Sequence, residues 1–320
     1  MKVLKFIPQL KQTIWGGERI IPFKGLESSL HHVGESWEIS AVKGSETVVA
    51  SGPYQGRTLS SLVMEMGVSL VGKDCYEKYG TSFPLLVKLI DANSDLSIQV
   101  HPDDVTAHRH GYESGKTEMW YMMESAPKAK IRLGLKHRIT FEDYKRLVEE
   151  DKICEVIAEH DVHEGDCFYL SPGRIHSIGA GCFLVEIQQS SDVTYRIYDF
   201  KRRDKNGCLR ELHTDLAAEA IDYHVDDDYK RDYVIGEDGK ALLVKCPLFT
   251  TFLYDVKERV CLDYSHADHF VILVCVKGEG VLVDDEGDTL EMKVGDTLLV
   301  PATMKKLEIR GRLRFLETYP

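Results

Sequence analysis

The sequence predicts a mostly β protein, a sandwich or barrel architecture used twice, with a few short helices. Three observations carry this expectation. Apolar runs of strand length recur along the chain, among them PLLVKLI, LSIQVH, EMWYMM, DCFYLSPG, CFLVEIQQ, FVILVCVKG and DTLLVPA. They are bounded by Gly, Asp and Pro, and their close spacing suits a sandwich or barrel better than a parallel α/β sheet. Helical signals are fewer. Thr140 is a candidate N-cap for a segment with Phe141, Tyr144, Leu147 and Val148 on one face. Thr214 starts a shorter segment, and residues 59–70 form a third, interrupted at Gly67.

The third observation is an internal echo. Gly165-Asp166 leads into CFYLSPGRIHSIGAG, and Gly295-Asp296 leads into TLLVPATMKKLEIRG. Both read as a Gly-Asp turn, a strand, a Pro, a short loop and another strand. His176 stands four residues after Pro172, whereas Lys305 stands four after Pro301. A candidate metal ligand is therefore expected in the first unit and not in the second. The acidic stretch 226–240 is the expected boundary, giving one unit over residues 1–236 and another over 237–320.

At 320 residues, with 43% hydrophobic and 29% charged residues, the chain reads as a globular protein of two domains. A net charge of −12 argues against nucleic acid or an anionic membrane as the main partner. It leaves room for a small anionic substrate in a local basic pocket. The opening MKVLKFIPQLKQTIWGG has no long apolar run, so neither a signal peptide nor a membrane span is expected. The eight cysteines include no C-x-x-C pair, which suits reduced thiols and a cytoplasmic location.

Four residues point to chemistry. Gln99 and His101 alternate along one strand and so face the same way, and Pro102 ends that strand. Glu118 lies in another run of strand length, GKTEMWYMM, and His176 in the loop-to-strand segment PGRIHSIG. Two imidazoles, a carboxylate and an amide oxygen suit zinc or another first-row divalent ion. His108, His110, His31, His32, His266 and His269 read as surface residues. A basic cluster, Arg196, Lys201, Arg202 and Arg203, follows the strand carrying Glu186 and suits an anionic substrate such as a phosphate. Arg196 alternates with Tyr195 and Ile197, so it belongs on a strand with one defined face.

LSIQVHPDD, GKTEMWYM, PGRIHSIGAG and SSDVTYRIYDF together resemble the type I mannose-6-phosphate isomerases, in their short bacterial form. The resemblance covers most of the chain, including Trp15-Gly16-Gly17. It implies two cupin-type jelly-roll domains, one zinc ion per chain, a small sugar phosphate as the partner and a monomer or homodimer. The implied reaction interconverts mannose 6-phosphate and fructose 6-phosphate by enediol proton transfer. By position, Gln99, His101, Glu118 and His176 match the family's metal ligands, and Arg196 its catalytic arginine. Ser97 and Lys88 match positions linked with substrate phosphate or the active site, and Lys116 and Glu186 match residues proposed for proton transfer. The next basic residue of the family falls at Lys201 or Arg202. The chain has little room for the helical insertion of longer members.

Aldose–ketose exchange needs a base that moves a proton between C2 and C1. Lys116 serves if repulsion by a bound cation favours its neutral amine, and Glu186 is the rival. Two other readings compete. A cupin-type metal oxygenase would use two His and one carboxylate, but Gln99 and the basic cluster weigh against it. A non-catalytic sugar-binding cupin module would need neither Arg196 nor a poised base.

Overall fold

A computed structural model of the chain describes residues 1–204, 206–226 and 229–320. Asp227 and Asp228, inside the acidic stretch expected to mark the domain boundary, lie outside the described residues.

The strands in chain order are β1 Leu4–Ile7, β2 Gln9–Gly17, β3 Val33–Ile39, β4 Val48–Val49, β5 Leu85–Asp91, β6 Ile98–Val100 and β7 Glu118–Ser125. Then come β8 Lys130–Leu135, β9 Ile157–Asp161, β10 Cys167–Leu170, β11 His176–Ile178, β12 Cys182–Gln189 and β13 Tyr195–Tyr198. The C-terminal part holds β14 Lys240–Lys245, β15 Thr250–Val256, β16 Arg259–Asp263, β17 Val271–Asp284, β18 Thr289–Lys293, β19 Thr297–Val300 and β20 Lys306–Tyr319. The helices are short: α1 Ile20–Lys24, α2 Leu59–Met66, α3 Val68–Val71, α4 Lys73–Tyr79, α5 Asp104–Arg109, α6 Phe141–Glu149 and α7 Thr214–Ala220.

The strands form a six-stranded sheet β10-β7-β12-β5-β3-β2, a five-stranded sheet β13-β6-β11-β8-β9 and a nine-stranded sheet built mainly from the C-terminal part. These are open antiparallel sheets packed face to face, a jelly-roll arrangement, and none closes into a barrel. The N-terminal strand β1 pairs with β19 and β4, so residues 4–7 belong to the C-terminal sheet.

The continuous apolar runs of β5 and β12 have a plain cause: the six-stranded sheet is covered on both faces. On one face Leu85, Val87, Leu89, Phe183, Val185 and Ile187 pack with Ile272, Val274, Leu299 and Leu316 of the C-terminal sheet. On the other, Ile90, Trp120, Met122 and Leu184 pack with Ile131, Leu133 and Ile178 of the five-stranded sheet. The outer face of the five-stranded sheet, carrying Ile98, Val100, Tyr195 and Ile197, is covered by Tyr144 of α6 and by Ala217 and Ala218 of α7. Thr140 caps α6 with a full capping box, and Tyr144 Oη donates to the Thr214 carbonyl at 3.1 Å. The 59–70 segment is indeed broken at Gly67, between α2 and α3.

The internal echo is exact at the level of hydrogen bonds. In one turn the amides of Gly165 and Met122 donate to Met122 O (2.8 Å) and Asp166 O (2.9 Å). In the other the amides of Gly295 and Cys275 donate to Cys275 O (3.0 Å) and Asp296 O (2.9 Å). Each Asp accepts from the amide three residues earlier at 3.0 Å, and Gly165 and Gly295 take φ of 90° and 86°. Met122 is thus the counterpart of Cys275, and β7 of β17.

Candidate metal centre

Antiparallel register gathers the expected ligands. In the five-stranded sheet Arg196 lies opposite Gln99, and Gln99 opposite His176, so all three share one face. His101 follows β6 one residue beyond Val100 and so points the same way as Gln99. Across the interior, Glu118 opens β7 on the face that also carries Trp120. The loop before it is pulled in at Gly115, where a Cβ would stand 2.5 Å from the Asp103 carbonyl carbon. Lys116 N then donates to Pro102 O at 3.0 Å.

The result is a compact, fully buried donor group: ligand atoms of His101, Glu118 and His176 all lie within 4.8 Å of one another. His101 Nε2 is 3.5 Å from Glu118 Oε2, and His176 Nε2 is 3.4 Å from Glu118 Oε1. His176 Nδ1 donates to the Arg174 carbonyl at 2.9 Å, which leaves the Nε2 lone pair turned inward. Burial brings His176 down to about 4, the Arg174 carbonyl opposing only in part. Burial, with Lys116, His176 and Lys88 nearby, pushes His101 well below the ordinary imidazole value. Both rings are neutral at physiological pH, the form a metal needs.

Glu118 supplies the clearest fit to a cation. It is fully buried, and neither carboxylate oxygen makes a hydrogen bond of regular geometry, although Lys116 Nζ stands 3.0 Å from Oε2. Burial, then the charge of Glu186, pushes Glu118 up to about 7, despite the opposing pull of Lys116. A divalent ion among two neutral imidazoles and this carboxylate would offset that burial. Gln99 lies against the group, with Nε2 3.2 Å from His176 Nε2 and Oε1 3.5 Å from Ser97 Oγ. A half-turn of the amide exchanges its oxygen and nitrogen.

Behind the donors runs a buried polar row. Trp120, Glu186, Lys88 and Trp37 lie opposite one another across β7, β12, β5 and β3. Glu186 Oε1 accepts from Lys88 Nζ at 3.1 Å and Oε2 from Trp120 Nε1 at 3.0 Å, with Lys116 Nζ 4.0 Å away. Burial would raise Glu186, but Lys88 and Lys116 outweigh it and hold the carboxyl at about 2. Burial would likewise lower Lys88, yet Glu186, Glu35 and Glu118 hold its ammonium above the ordinary value. Sequence reasoning passed over Trp120 and Trp37. Strand alternation from Glu118 would have placed Trp120 on the same face.

The basic cluster divides. Arg196 keeps one face, donating Nη1 to the Glu211 carbonyl at 2.8 Å, while its Nε is buried without a hydrogen-bond partner. Arg202 turns inward to Asp199 and the Asp95 carbonyl, whereas Lys201 is exposed and pairs with Asp151 at 2.6 Å. Arg203 donates Nη1 to the Gly207 carbonyl at 2.6 Å. Arg210, which sequence reasoning missed, also binds Asp199. It lies between β13 and α7 in a loop without periodicity to direct attention to it. His108 and His110 stand outside the donor group, His110 Nδ1 lying 2.7 Å from Tyr195 Oη. A cleft of about 720 Å³ opens along Ser114, Gln189 and Ser191, and none of His101, Glu118 and His176 lines it.

In the second unit, Val271 occupies the counterpart of Glu118: Glu118 pairs with Leu170 as Val271 pairs with Val300. Lys305 there donates to the carbonyls of Ala267 and Ala302. The donor group is confined to the first unit among the described residues.

A jelly-roll sheet pair enclosing two imidazoles and a carboxylate is a cupin-type arrangement whose donors could hold a metal ion. Comparison with known proteins narrows the class. Residues 3–129 match the family described as phosphomannose isomerase type I, catalytic domain, and residues 240–320 match mannose-6-phosphate isomerase, cupin domain. Mannose-6-phosphate isomerase ManA of Bacillus subtilis (strain 168) is 34% identical over 313 residues, covering 96% of each chain. The mannose-6-phosphate isomerase of Streptococcus mutans is 30% identical over 328 residues, covering 97% of this chain and 96% of its own. A crystal structure of mannose 6-phosphate isomerase from Bacillus subtilis superposes with a TM-score of 0.91 at 29% identity over the whole of both chains. A Salmonella typhimurium phosphomannose isomerase variant, 14% identical with a TM-score of 0.80 over 100% of this chain and 99% of its own, shares the fold. The chain belongs to the type I mannose-6-phosphate isomerase family.

Proposed function

We propose that this chain interconverts mannose 6-phosphate and fructose 6-phosphate, with one zinc ion held by Gln99, His101, Glu118 and His176. The single observation that carries the reading is the buried donor group of His101, Glu118 and His176, set in a chain of this family. Gln99 would join through Oε1 after a half-turn of its amide. When bound, the ion supplies Lewis acidity toward the sugar's oxygens.

The chain's own residues divide the remaining work. Lys116 is the proposed proton carrier between C2 and C1. Its rival Glu186, held at about 2 and ion-paired with Lys88, is a weak base at neutral pH. Glu186 and Lys88 instead position Lys116 and keep the interior electrically balanced. Arg196, on the face of Gln99 and His176, steadies negative charge as it develops on the enediol. Ser97 orients Gln99, and Arg202 faces the phosphate end. Lys201, held outward by Asp151, is the weaker candidate for that role.

The test is a coupled assay for fructose 6-phosphate formed from mannose 6-phosphate, before and after chelation. Activity should vanish with chelator and return with zinc. A folded, zinc-loaded protein without turnover would sink the isomerase reading. The three-residue donor set alone also fits a cupin oxygenase, and oxygen uptake dependent on iron would favour that alternative.

A further inference from the structure

We infer that His213 is a positioning residue for Arg196 and performs that task only with its imidazole neutral. The inference rests on the isomerase reading, which gives Arg196 its place in the reaction. Strand β13 is the last of the five-stranded sheet, so one of its edges has no neighbouring strand. An edge strand presents N–H and C=O groups that need partners. At Arg196 one residue meets both. His213 N donates to the Arg196 carbonyl at 2.7 Å, and Arg196 N donates to His213 Nδ1 at 3.2 Å. The ring nitrogen stands where a further strand would offer a carbonyl.

The same short segment reaches the guanidinium. The Glu211 carbonyl accepts from Arg196 Nη1 at 2.8 Å. Residues 211–213 therefore grip Arg196 at its amide, its carbonyl and the end of its side chain. Arg196 lies opposite Gln99 on the face shared with His176, so a backbone shift here moves the charge that serves the enediol.

Chemistry makes this grip conditional. A backbone N–H can only donate, so Nδ1 must accept and the ring proton sits on Nε2. Protonation places a hydrogen on Nδ1 and sets two donors against each other. It also adds a cation beside Arg196. Burial, then the charge of Arg196, lowers the His213 pKa, with Glu211 opposing. Arg196 and Tyr195 face the ring from β13, the Tyr195 ring lying 6.4 Å away between centroids, and Glu211 faces it from its own loop. Behind Tyr195, His110 Nδ1 lies 2.7 Å from the phenol oxygen and His110 Nε2 lies 3.2 Å from Glu219 of α7. Asp215, at the start of α7, pairs with Lys145 at 2.9 Å.

The experiment follows kcat and KM of the zinc-loaded protein for mannose 6-phosphate from about pH 5 to about pH 8, with bound zinc read on the same samples. Protection of the Arg196 amide against hydrogen exchange, relative to its intrinsic rate, is read over the same range. His213→Ala should lower kcat roughly 10- to 100-fold near neutrality, with KM and zinc content moved far less. His213→Asn, whose Oδ1 accepts at the place of Nδ1 but takes no proton, should recover most of that loss. The ratio of wild-type to His213→Asn kcat should fall as the medium turns acid, and Arg196 amide protection should fall in wild type alone. Titration of the substrate phosphate and of the metal site is common to both proteins and cancels in that ratio. A ratio flat with pH, or equal amide protection in the two proteins, would overturn the inference. Wild-type kcat in His213→Ala would do the same, and if that variant fails to fold the asparagine variant carries the test. Zinc-loaded protein without turnover at any pH would sink the isomerase reading, while amide exchange still decides whether neutral His213 holds Arg196.

Discussion

His176 can meet a metal only through Nε2, because Nδ1 is spent on the Arg174 carbonyl at 2.9 Å. That one bond fixes the tautomer and the ring orientation together. It also sets a pH signature for the metal-free protein. An unfolded chain takes protons on both imidazoles as pH falls through about 6.5, while folded His176 refuses its proton down to about 4 and folded His101 is likewise lowered. Glu118 works in the opposite sense, holding a proton in the fold up to about 7 against an ordinary value of 4.5. Between pH 6.5 and 4.5 the unfolded state holds more protons on these groups than the folded state, which carries only that of Glu118, so stability falls as the pH is lowered. Melting temperatures of metal-free protein should decline across that window, and His176→Gln, leaving one ring against one carboxylate, should flatten the decline. An undiminished slope in the variant would contradict the placement of His176. These residues were legible from spacing and chemistry: Gln-x-His before a Pro, a Glu and a His after a Pro-Gly turn. Their burial was not, since it depends on which sheet covers which.

At the scale of elements, the loop entering β7 matters as much as the strand. Gly115 lets the chain close on the Asp103 backbone, and Lys116 N then bonds Pro102 O. A methyl group there must push the loop outward, carrying Lys116 and Glu118 with it. Gly115→Ala should therefore weaken metal binding by about 10- to 100-fold, the usual cost of disturbing a ligand's support. A competition titration with a chromophoric chelator would read it, and unchanged affinity would show that the loop does not place Glu118. The strands themselves were readable, as was the Thr140 cap, because both rest on local pattern. The alternation of β5 and β12 was masked, because both faces of these strands are apolar apart from Lys88, Asp91, Glu186, Gln188 and Gln189. The Asp199–Arg210 clamp joins two points of a loop, where no period exists to read.

For the whole molecule, the two units are built on one plan and share one interface. Leu85, Val87, Leu89, Phe183, Val185 and Ile187 of the first pack with Ile272, Val274, Leu299 and Leu316 of the second. Strand β1 crosses over to pair with β19, which no local signal in LKFI announces. The division between residues 1–236 and 237–320 is a proposal that truncation tests. The 1–236 piece alone would expose that apolar sheet face and leave β1 without β19. It should aggregate or melt without cooperativity, and a soluble monomer with a sharp transition would show that the first unit folds alone. No helix of the described residues is long and apolar enough to cross a membrane. The second unit carries Val271 where the first carries Glu118, which suits a packing role.

The central claim is that one divalent ion among Gln99, His101, Glu118 and His176 is required for turnover. Its most direct test is titration of metal-free protein with zinc while isomerase activity and bound metal are read on the same samples. Activity should rise linearly and break at one equivalent per chain, and His176→Ala should neither retain the ion nor recover activity. Turnover independent of bound metal, or full activity in the His176→Ala protein, would contradict the account.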